Sequence, residues 1–274
     1  MNKLSAAKRV AVISALVEGC SIRSTVRMTG VSKNTVAKLL VKLGAACTKF
    51  QDETLRNLSC KRLQCDEIWS FVGGKDKNLP TEKKEAGLGS VWTWTAIDAD
   101  TKLIASWNFG WHDARSAYEF MQDVAGRLRG RVQLTTDGHK PHLEAVEAAF
   151  GMDIDYAVLQ KIYGNDANPD KPYSPPVCLG CKVENVTGTP DPKHISTSYV
   201  KRQSVTMRMS MRRFTRLTNA FSKKVENHAA AIALYFMYYN FGRVHQALRV
   251  TPAMEAGVAN HIWSVEEIVK LSEE

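Results

Sequence analysis

The stretch LQCDEIWSFV, at residues 63–72, decides how the rest of the chain is interpreted. Its residues alternate in character around Cys65, Glu67 and Trp69, which predicts a β-strand. Asp66 lies inside this otherwise apolar strand. A carboxylate in such a place has to be paired with a cation, bound to a metal or located at a sheet edge. The stretch therefore marks both the start of a sheet domain and a candidate site.

More strands and helices follow at regular intervals. Three strands followed by a helix, a strand, a helix and a fifth strand are the order of an RNase H-like fold. We therefore predict an α/β domain over residues 63–240, with a mixed sheet flanked by helices. The predicted strands after the first are 90–97, 103–109, 132–136 and 156–159, and the predicted helices are 114–129, 143–150, 198–219 and 224–240.

Two segments break this pattern. Residues 160–197 contain six of the nine prolines, which predicts a loop inserted into the sheet domain. Residues 241–274 are expected to form a C-terminal tail.

Upstream of the sheet, three helical patterns predict a small all-α domain at residues 1–46, joined by a linker at 47–62. Thr29-Gly30-Val31 forms a turn, Ser32 caps the third helix and Gly44 is expected to end it. This is the pattern of a helix-turn-helix. Its exposed face offers candidate DNA-binding residues, namely Lys33, Asn34, Thr35, Lys38 and Lys42. The alternative is a three-helix core that only packs onto the next domain.

The charge distribution supports a nucleic-acid partner. The formal net charge is +9, and residues 1–49 and 199–225 each carry +8, so the rest of the chain carries −7. Basic blocks neutralise phosphates, and we predict two separate contacts with double-stranded DNA. In the second block the candidate phosphate contacts are Arg202, Arg208, Arg212, Arg213 and Arg216.

A second aspartate is placed to join Asp66. Asp137 follows the predicted strand 132–136, at the end of an open sheet where ligands bind. If the two strands are neighbours, Asp66 and Asp137 converge. Two carboxylates close together favour a hard cation such as Mg²⁺ or Mn²⁺, and two such ions support phosphodiester chemistry. Each aspartate alone could instead be a solvated strand-end residue.

Four runs resemble transposases of the insertion-sequence-one type: QCDEIWSFVGGK (64–75), TTDGHKPHLEAV (135–146), RRFTRLTNAFSKKVENH (212–228) and YNFGRVHQALRVTP (239–252). The resemblance extends over nearly the whole chain. It implies an RNase H-like catalytic domain with an Asp, Asp, Glu triad and two divalent ions. It also implies cutting and joining of DNA at the ends of a mobile element, by a homo-oligomer in a synaptic complex. Asp66 and Asp137 match the first two members of the triad.

The third member of the triad departs from the family pattern. The family has a Glu on the helix after the last strand, with a basic residue seven positions later. Here Lys201 stands at the Glu position and Arg208 at the basic one. Lysine cannot replace a metal-binding carboxylate, because it is a cation and only donates hydrogen bonds. We therefore expect impaired catalysis.

Another acid could fill the third position. Glu226 is the best substitute, although Ala233 rather than a basic residue lies seven positions after it. Glu226 could equally be a charge at the start of a helix, where it is favourable. Two functions stay open: an active transposase, or a catalytically dead DNA-binding repressor or inhibitor derived from one.

Other polar residues carry weaker signals. Cys178 and Cys181 form half of a zinc site that His194 could help complete. His139 and His142 are expected to have capping or surface roles, and Glu67 should point away from Asp66. The chain has no run of about 18 apolar residues and no secretory signal. A cytoplasmic, nucleoid-associated protein with free thiols is expected.

Overall fold

The computed structural model describes residues 4–85, 87–164, 177–215 and 219–273. Its centre is a six-stranded mixed sheet. The strands are β1 (Arg62–Val72), β2 (Gly89–Asp98), β3 (Ile104–Gly110), β4 (Gln133–Thr136), β5 (Asp155–Tyr163) and β6 (Cys178–Thr187). Their order in the sheet is β3-β2-β1-β4-β5-β6, with β1 antiparallel to β2 and parallel to β4.

Helices cover both faces of this sheet. On one face, the ring of Phe120 packs 5.9 Å from that of Trp94, which is fully buried. On the other face, Ser70 contacts His228. The predicted α/β class with a mixed, helix-flanked sheet is confirmed, and the strand order is compatible with an RNase H-like fold. The helices are α1 (Ala6–Val17), α2 (Ile22–Thr29), α3 (Lys33–Thr54), α4 (Thr81–Glu85), α5 (Ala114–Arg127), α6 (Pro141–Phe150), α7 (Ser198–Ser210), α8 (Val225–Met237), α9 (Pro252–Glu255) and α10 (Val265–Lys270).

Helix α3 passes straight through Gly44, so the prediction that Gly44 ends this helix is wrong. A Cβ added at Gly44 would lie 2.5 Å from the Cα of Ala230 in α8. Gly44 therefore allows α3 and α8 to approach each other closely, because it has no Cβ. The predicted boundary between residues 46 and 47 falls inside α3, and residues 47–54 of the predicted linker are helical.

The C-terminal end of α3 is held by α5. The buried Arg127 guanidinium donates to the carbonyls of Gln51 and Leu55, and it pairs with Asp52 at 2.8 Å and with Asp123 at 2.6 Å. These contacts satisfy carbonyls that a helix end leaves without partners. Helix α3 is therefore continuous from the N-terminal helices α1 and α2 to the sheet domain, where α5 holds its end.

Part of the predicted proline-rich loop is a β-hairpin. Strand β5 continues to Tyr163, and β6 pairs with it antiparallel from Cys178 to Thr187. The loop prediction for residues 160–197 is wrong over these strands, because pairing at a sheet edge needs main-chain partners more than an apolar pattern. Residues 165–176, with four of the six prolines, lie outside the described residues.

The end of the chain is also more ordered than predicted. Helix α7 ends at Ser210 rather than near residue 219, and a short 3-10 turn follows at Arg212–Phe214. The expected tail contains α9 and α10, and its Trp263 ring packs 4.8 Å from Phe50 of α3. Among the described residues, no helix has both the length and the apolar character needed to cross a membrane.

Candidate functional site

Strand register brings Asp66 and Asp137 to the same level of the sheet. Arg62 of β1 is paired with Gln133 of β4, and Gln64 with Thr135. The same register continued by two residues sets Asp66 beside Asp137, which follows the end of β4. Asp66 is 5% exposed, whereas the Asp137 side chain is 31% exposed. The expectation that the two strands are neighbours is confirmed by the sheet order.

Lys201 lies between the two aspartates. Its Nζ donates to Oδ1 of Asp66 at 2.5 Å and to Oδ2 of Asp137 at 3.4 Å. Lys201 is in the first turn of α7, the helix that follows the last strand. The position singled out by its spacing from Arg208 is therefore in contact with both carboxylates, and a cation occupies it.

The charges of these three groups depend on one another. Burial raises the pKa of Asp66 to about 7 against the opposing effect of Lys201. Burial also opposes the charge of Asp137, but Lys201 and the backbone amide of His139 hold the pKa of this carboxyl below its usual value. Burial opposes the charge of Lys201 as well, yet the two aspartates raise its pKa. The site is thus an ion-paired cluster that keeps a protonated lysine.

Gln64 is a positioning residue that sequence reasoning missed. Its Oε1 accepts hydrogen bonds from the backbone amides of Tyr199 at 2.8 Å and of Val200 at 3.2 Å. Thr197 begins α7 without a side-chain cap, so Gln64 supplies the acceptor that the helix start needs. Because Gln64 lies two residues before Asp66, it sets α7 against β1 with Lys201 facing Asp66. The sequence did carry a signal for this role: Gln64 is polar and lies two positions before Asp66, on the same face of the strand.

Glu226 is not brought to the two aspartates. It lies in the first turn of α8, its side chain is 60% exposed, and its carboxylate is 3.4 Å from Lys224. Within the described part of the chain, no hydrogen bond or ion pair joins it to Asp66 or Asp137. It lines a different cleft, described below.

A second group of polar side chains gathers on the opposite face of the sheet. As expected, Glu67 points away from Asp66: its Oε1 lies 2.9 Å from His142 Nε2 and 3.9 Å from His112 Nε2. The rings of His112 and His139 stack with centroids 3.8 Å apart. Burial lowers the pKa of His139.

The capping or surface role predicted for His142 is wrong, because this residue is fully buried. The sequence signal was weak, because His112 lies before α5, His139 lies before α6 and His142 lies in the first turn of α6. Only the packing of α6 on the sheet brings them to Glu67. Two sets of three possible ligand atoms lie within 4.8 Å of one another: Glu67, His112 and His139, and Glu67, Asp137 and His142.

A large basic cleft lies between α2, α3 and the segment 210–227. Its volume is about 1040 Å³. Residues from both basic blocks of the sequence line this one cleft. The contacts with DNA predicted for the two blocks stay predictions. Burial lowers the pKa of Lys223, and repulsion from Arg23, which lines the same cleft, lowers it further. The basic residues lining the cleft are Arg23, Lys33, Lys38, Arg212, Arg213, Lys223 and Lys224.

The remaining DNA-binding candidates are dispersed. Asn34 lines the cleft, and Lys42 is exposed on α3 outside it. The Thr35 hydroxyl contacts Ser32 at 2.8 Å, where the predicted cap accepts from the Thr35 amide. Arg202 lines a smaller cavity of about 260 Å³ with Lys102 and Arg243.

The last three candidates are arginines of the second basic block. The Arg213 guanidinium is held by Ser222 Oγ at 2.8 Å and by the Asn227 carbonyl at 3.1 Å, and burial lowers its pKa to about 10. Arg208 lies in the last turn of α7. Arg216 lies outside the described residues.

The half zinc site is not completed. Cys178 and Cys181 are exposed on β6, and neither belongs to a group of three ligand atoms among the described residues. His194 instead contacts Arg62 and Asp191.

Comparison with known proteins adds no family assignment. No protein-family model matches this chain, and no curated protein matches it. The ion-paired site and the basic cleft are therefore the features of this chain that bear on its function.

Proposed function

We propose that this chain is a DNA-binding protein of the insertion-sequence-one transposase type whose strand-cleavage site is blocked by Lys201. The observation that carries the proposal is the contact of Lys201 Nζ with both Asp66 and Asp137, at 2.5 and 3.4 Å. An RNase H-like interpretation of the sheet agrees with the order β3-β2-β1-β4-β5 and with two aspartates level on adjacent parallel strands. Its resemblance in sequence to the transposases supplies the DNA chemistry.

The residues present do not fit two magnesium ions at Asp66 and Asp137. Mg²⁺ needs oxygen ligands in octahedral geometry, and here an ammonium group occupies the position between the carboxylates. A divalent ion at this place would be repelled by the lysine and would have only two protein carboxylates. The chain thus keeps the aspartates but not the cation site.

DNA binding is supported by the cleft. Helix α3 presents Lys33, Asn34 and Lys38 toward a cleft whose opposite wall carries Arg212, Lys223 and Lys224. Within the described lining, Glu226 is the only acid. A concave surface with this charge attracts a polyanion, because phosphate neutralisation releases counterions. In this proposal α2 and α3 form the helix-turn-helix, and the chain acts as a repressor or inhibitor by occupying element ends or joining mixed oligomers.

Cleavage is tested with supercoiled plasmid and with duplexes carrying the element ends, in Mg²⁺ and in Mn²⁺. The unchanged protein is compared with its Asp137→Ala, Lys201→Glu, Lys201→Gln and Lys201→Glu/Asp137→Ala variants. Only Lys201→Glu should cut, since it alone supplies a third carboxylate. Cutting by the unchanged protein that Asp137→Ala abolishes would favour the second candidate, an active transposase. That candidate is supported by the convergence of the two aspartates.

DNA binding is tested by fluorescence anisotropy of a labelled duplex at several salt concentrations. Each lost phosphate contact should make the slope of log K against log salt less negative by about 0.9. Lys33→Ala, Lys38→Ala and Arg212→Ala should show this change. Lys49→Ala is the matched control, because Lys49 is exposed on α3 but does not line the cleft. Equal effects of Lys49→Ala and Lys38→Ala would contradict binding in the cleft.

A further inference from the structure

The polar group on the Glu67 face of the sheet has buried atoms without partners. Glu67 has a side-chain exposure of 4%, and His142 is fully buried. Within the described residues, Glu67 Oε1 and both ring nitrogens of His142 have no hydrogen-bond partner. An unsatisfied buried carboxylate and imidazole cost free energy. Such a group calls for a ligand that satisfies both.

The spacing of these atoms fits a shared cation. Glu67 Oε1 and His142 Nε2 are 2.9 Å apart but lack hydrogen-bond geometry. Two ligands of one transition-metal ion, each at about 2.1 Å, are separated by about 3 Å when they subtend roughly a right angle. The separation is therefore that of two neighbouring ligands of one ion.

Asp137 supplies the third ligand. Its carboxylate belongs to the group with Glu67 and His142 whose ligand atoms lie within 4.8 Å of one another. Asp137 directly follows the last residue of β4, and its carboxylate thus lies near Lys201 as well as near Glu67 and His142. Its contact with Lys201 is the longer of the two, at 3.4 Å, which leaves acceptor capacity for a cation on the other side.

His112 and His139 are excluded as joint ligands of the same ion. Their rings are stacked with an interplanar angle of 17° and centroids 3.8 Å apart. The lone pair of an imidazole nitrogen lies in the ring plane, and two nearly parallel planes at this distance do not share an ion position. These rings instead cover the site beside Trp92, whose ring is stacked on His112 at 4.2 Å.

We propose that Glu67, His142 and Asp137 bind one divalent first-row transition-metal ion on the face of the sheet opposite Lys201. One imidazole and two carboxylates suit Mn²⁺, Fe²⁺, Co²⁺ or Zn²⁺ better than Mg²⁺ or Ca²⁺. Three protein ligands leave further coordination positions for water. The proposal does not depend on DNA binding or on strand cleavage.

Co²⁺ is the probe, because its visible absorption reports ligand number and Zn²⁺ competes with it at the same site. The full chain carries Cys178→Ser and Cys181→Ser, which removes the exposed thiols. Quenching of Trp94 gives a second readout, since its ring lies 5.4 Å from His142, and Trp94→Phe identifies its share of the signal. One equivalent should bind, and Glu67→Gln and His142→Gln should each weaken binding at least tenfold.

Three control variants locate the ion. Asp66→Asn, on the opposite face, His112→Gln, in the stacked pair, and His261→Ala, on the surface, should change affinity by less than about threefold. Asp137→Asn should weaken binding like Glu67→Gln. Because His142 is fully buried and its substitution also affects folding, metal-induced stabilisation is measured in the unchanged protein and in Asp66→Asn, where Tm should rise with Co²⁺ concentration.

Three outcomes would overturn the proposal. The first is the absence of saturable one-equivalent binding. The second is a loss of affinity in Asp66→Asn as large as in Glu67→Gln, which would locate the ion among the aspartates. The third is a loss in His112→Gln with none in Asp137→Asn, which would assign the ligands to the stacked histidines.

Discussion

Lys201 donates from one ammonium group to Asp66 at 2.5 Å and to Asp137 at 3.4 Å, across strands that are adjacent and parallel. Two carboxylates so close together need a positive charge between them. A metal ion or a lysine can supply it, and this chain carries the lysine. The same contact that excludes a divalent ion therefore stabilises the buried Asp66 and the partly exposed Asp137.

Removing the lysine should destabilise the protein. Lys201→Met leaves Asp66 buried without its cation, and we expect a loss of about 1–3 kcal/mol in the free energy of unfolding at pH 8, reduced by the partial exposure of Lys201. Since the pKa of Asp66 is about 7, protonation should make the loss smaller at pH 5.5. Urea unfolding at both values checks this. Arg115→Met, which removes an exposed ion pair with Glu119, is the control and should leave the free energy of unfolding nearly unchanged, because solvent screens exposed pairs. An equal loss at both pH values for Lys201→Met would contradict the account.

The side-chain carbonyl oxygen of Gln64 should stabilise the start of α7. Gln64→Leu leaves the amides of Tyr199 and Val200 without an acceptor, and an unsatisfied buried group costs about 1–3 kcal/mol. Gln64→Glu keeps an acceptor for both amides and should retain α7 protection in amide hydrogen exchange, although its buried carboxylate near Asp66 lowers the overall stability. If the two variants lose the same protection at residues 199 and 200, the acceptor role is wrong.

Gly44 and Gly126 offer a matched pair of substitutions. Gly44→Ala puts a Cβ 2.5 Å from Ala230, and overpacking costs about 1–3 kcal/mol, more than the roughly 1 kcal/mol gained in helix propensity. Gly126→Ala, in the exposed part of α5, meets only Arg56 Nη1 at 3.7 Å and should be neutral or stabilising. Thermal unfolding should therefore show a lower Tm for the first and an equal or higher Tm for the second. A rise for both would disprove close packing at Gly44.

His228 should make stability depend on pH. It is fully buried, its ring nitrogens contact Ser70 at 3.0 Å and Ser222 at 2.8 Å, and burial, with Arg213 nearby, lowers its pKa to about 3. An unfolded histidine titrates near 6.5, so between these values the unfolded chain binds a proton that the folded chain does not. The contribution is complete above pH 6.5 and falls by about 1.4 kcal/mol per pH unit below it, or about 2 kcal/mol by pH 5.

The check is the difference in urea stability between the unchanged protein and His228→Gln, followed from pH 7.5 to pH 5. The carboxylates titrate in both proteins and cancel in the difference. The difference should shrink with falling pH, because Gln does not titrate. A constant difference would mean that His228 does not stay neutral in the folded chain.

Local pattern was enough to predict much of the sheet domain and part of its site. Alternation predicted β1, because side-chain period reports directly on which face of a strand is buried, and residue composition, the hairpin turn and short apolar runs predicted β2 to β5. The same reasoning identified Asp66 and Asp137, and the family spacing to Arg208 identified Lys201 as the residue facing them. These inferences succeed because each depends on residues close together in the chain or on a single strand pairing.

What the sequence determined by itself was therefore the succession of β1 to β5 along the chain, the two aspartates and the unusual lysine. Only the tertiary structure decided that the basic blocks share one cleft, that Gly44 is a helix contact with Ala230, and that His142 meets Glu67. Each of these depends on helices packing across long separations in sequence, where neither periodicity nor spacing carries a signal. Residues distant in the chain meet because burying their apolar neighbours lowers the free energy of the whole fold.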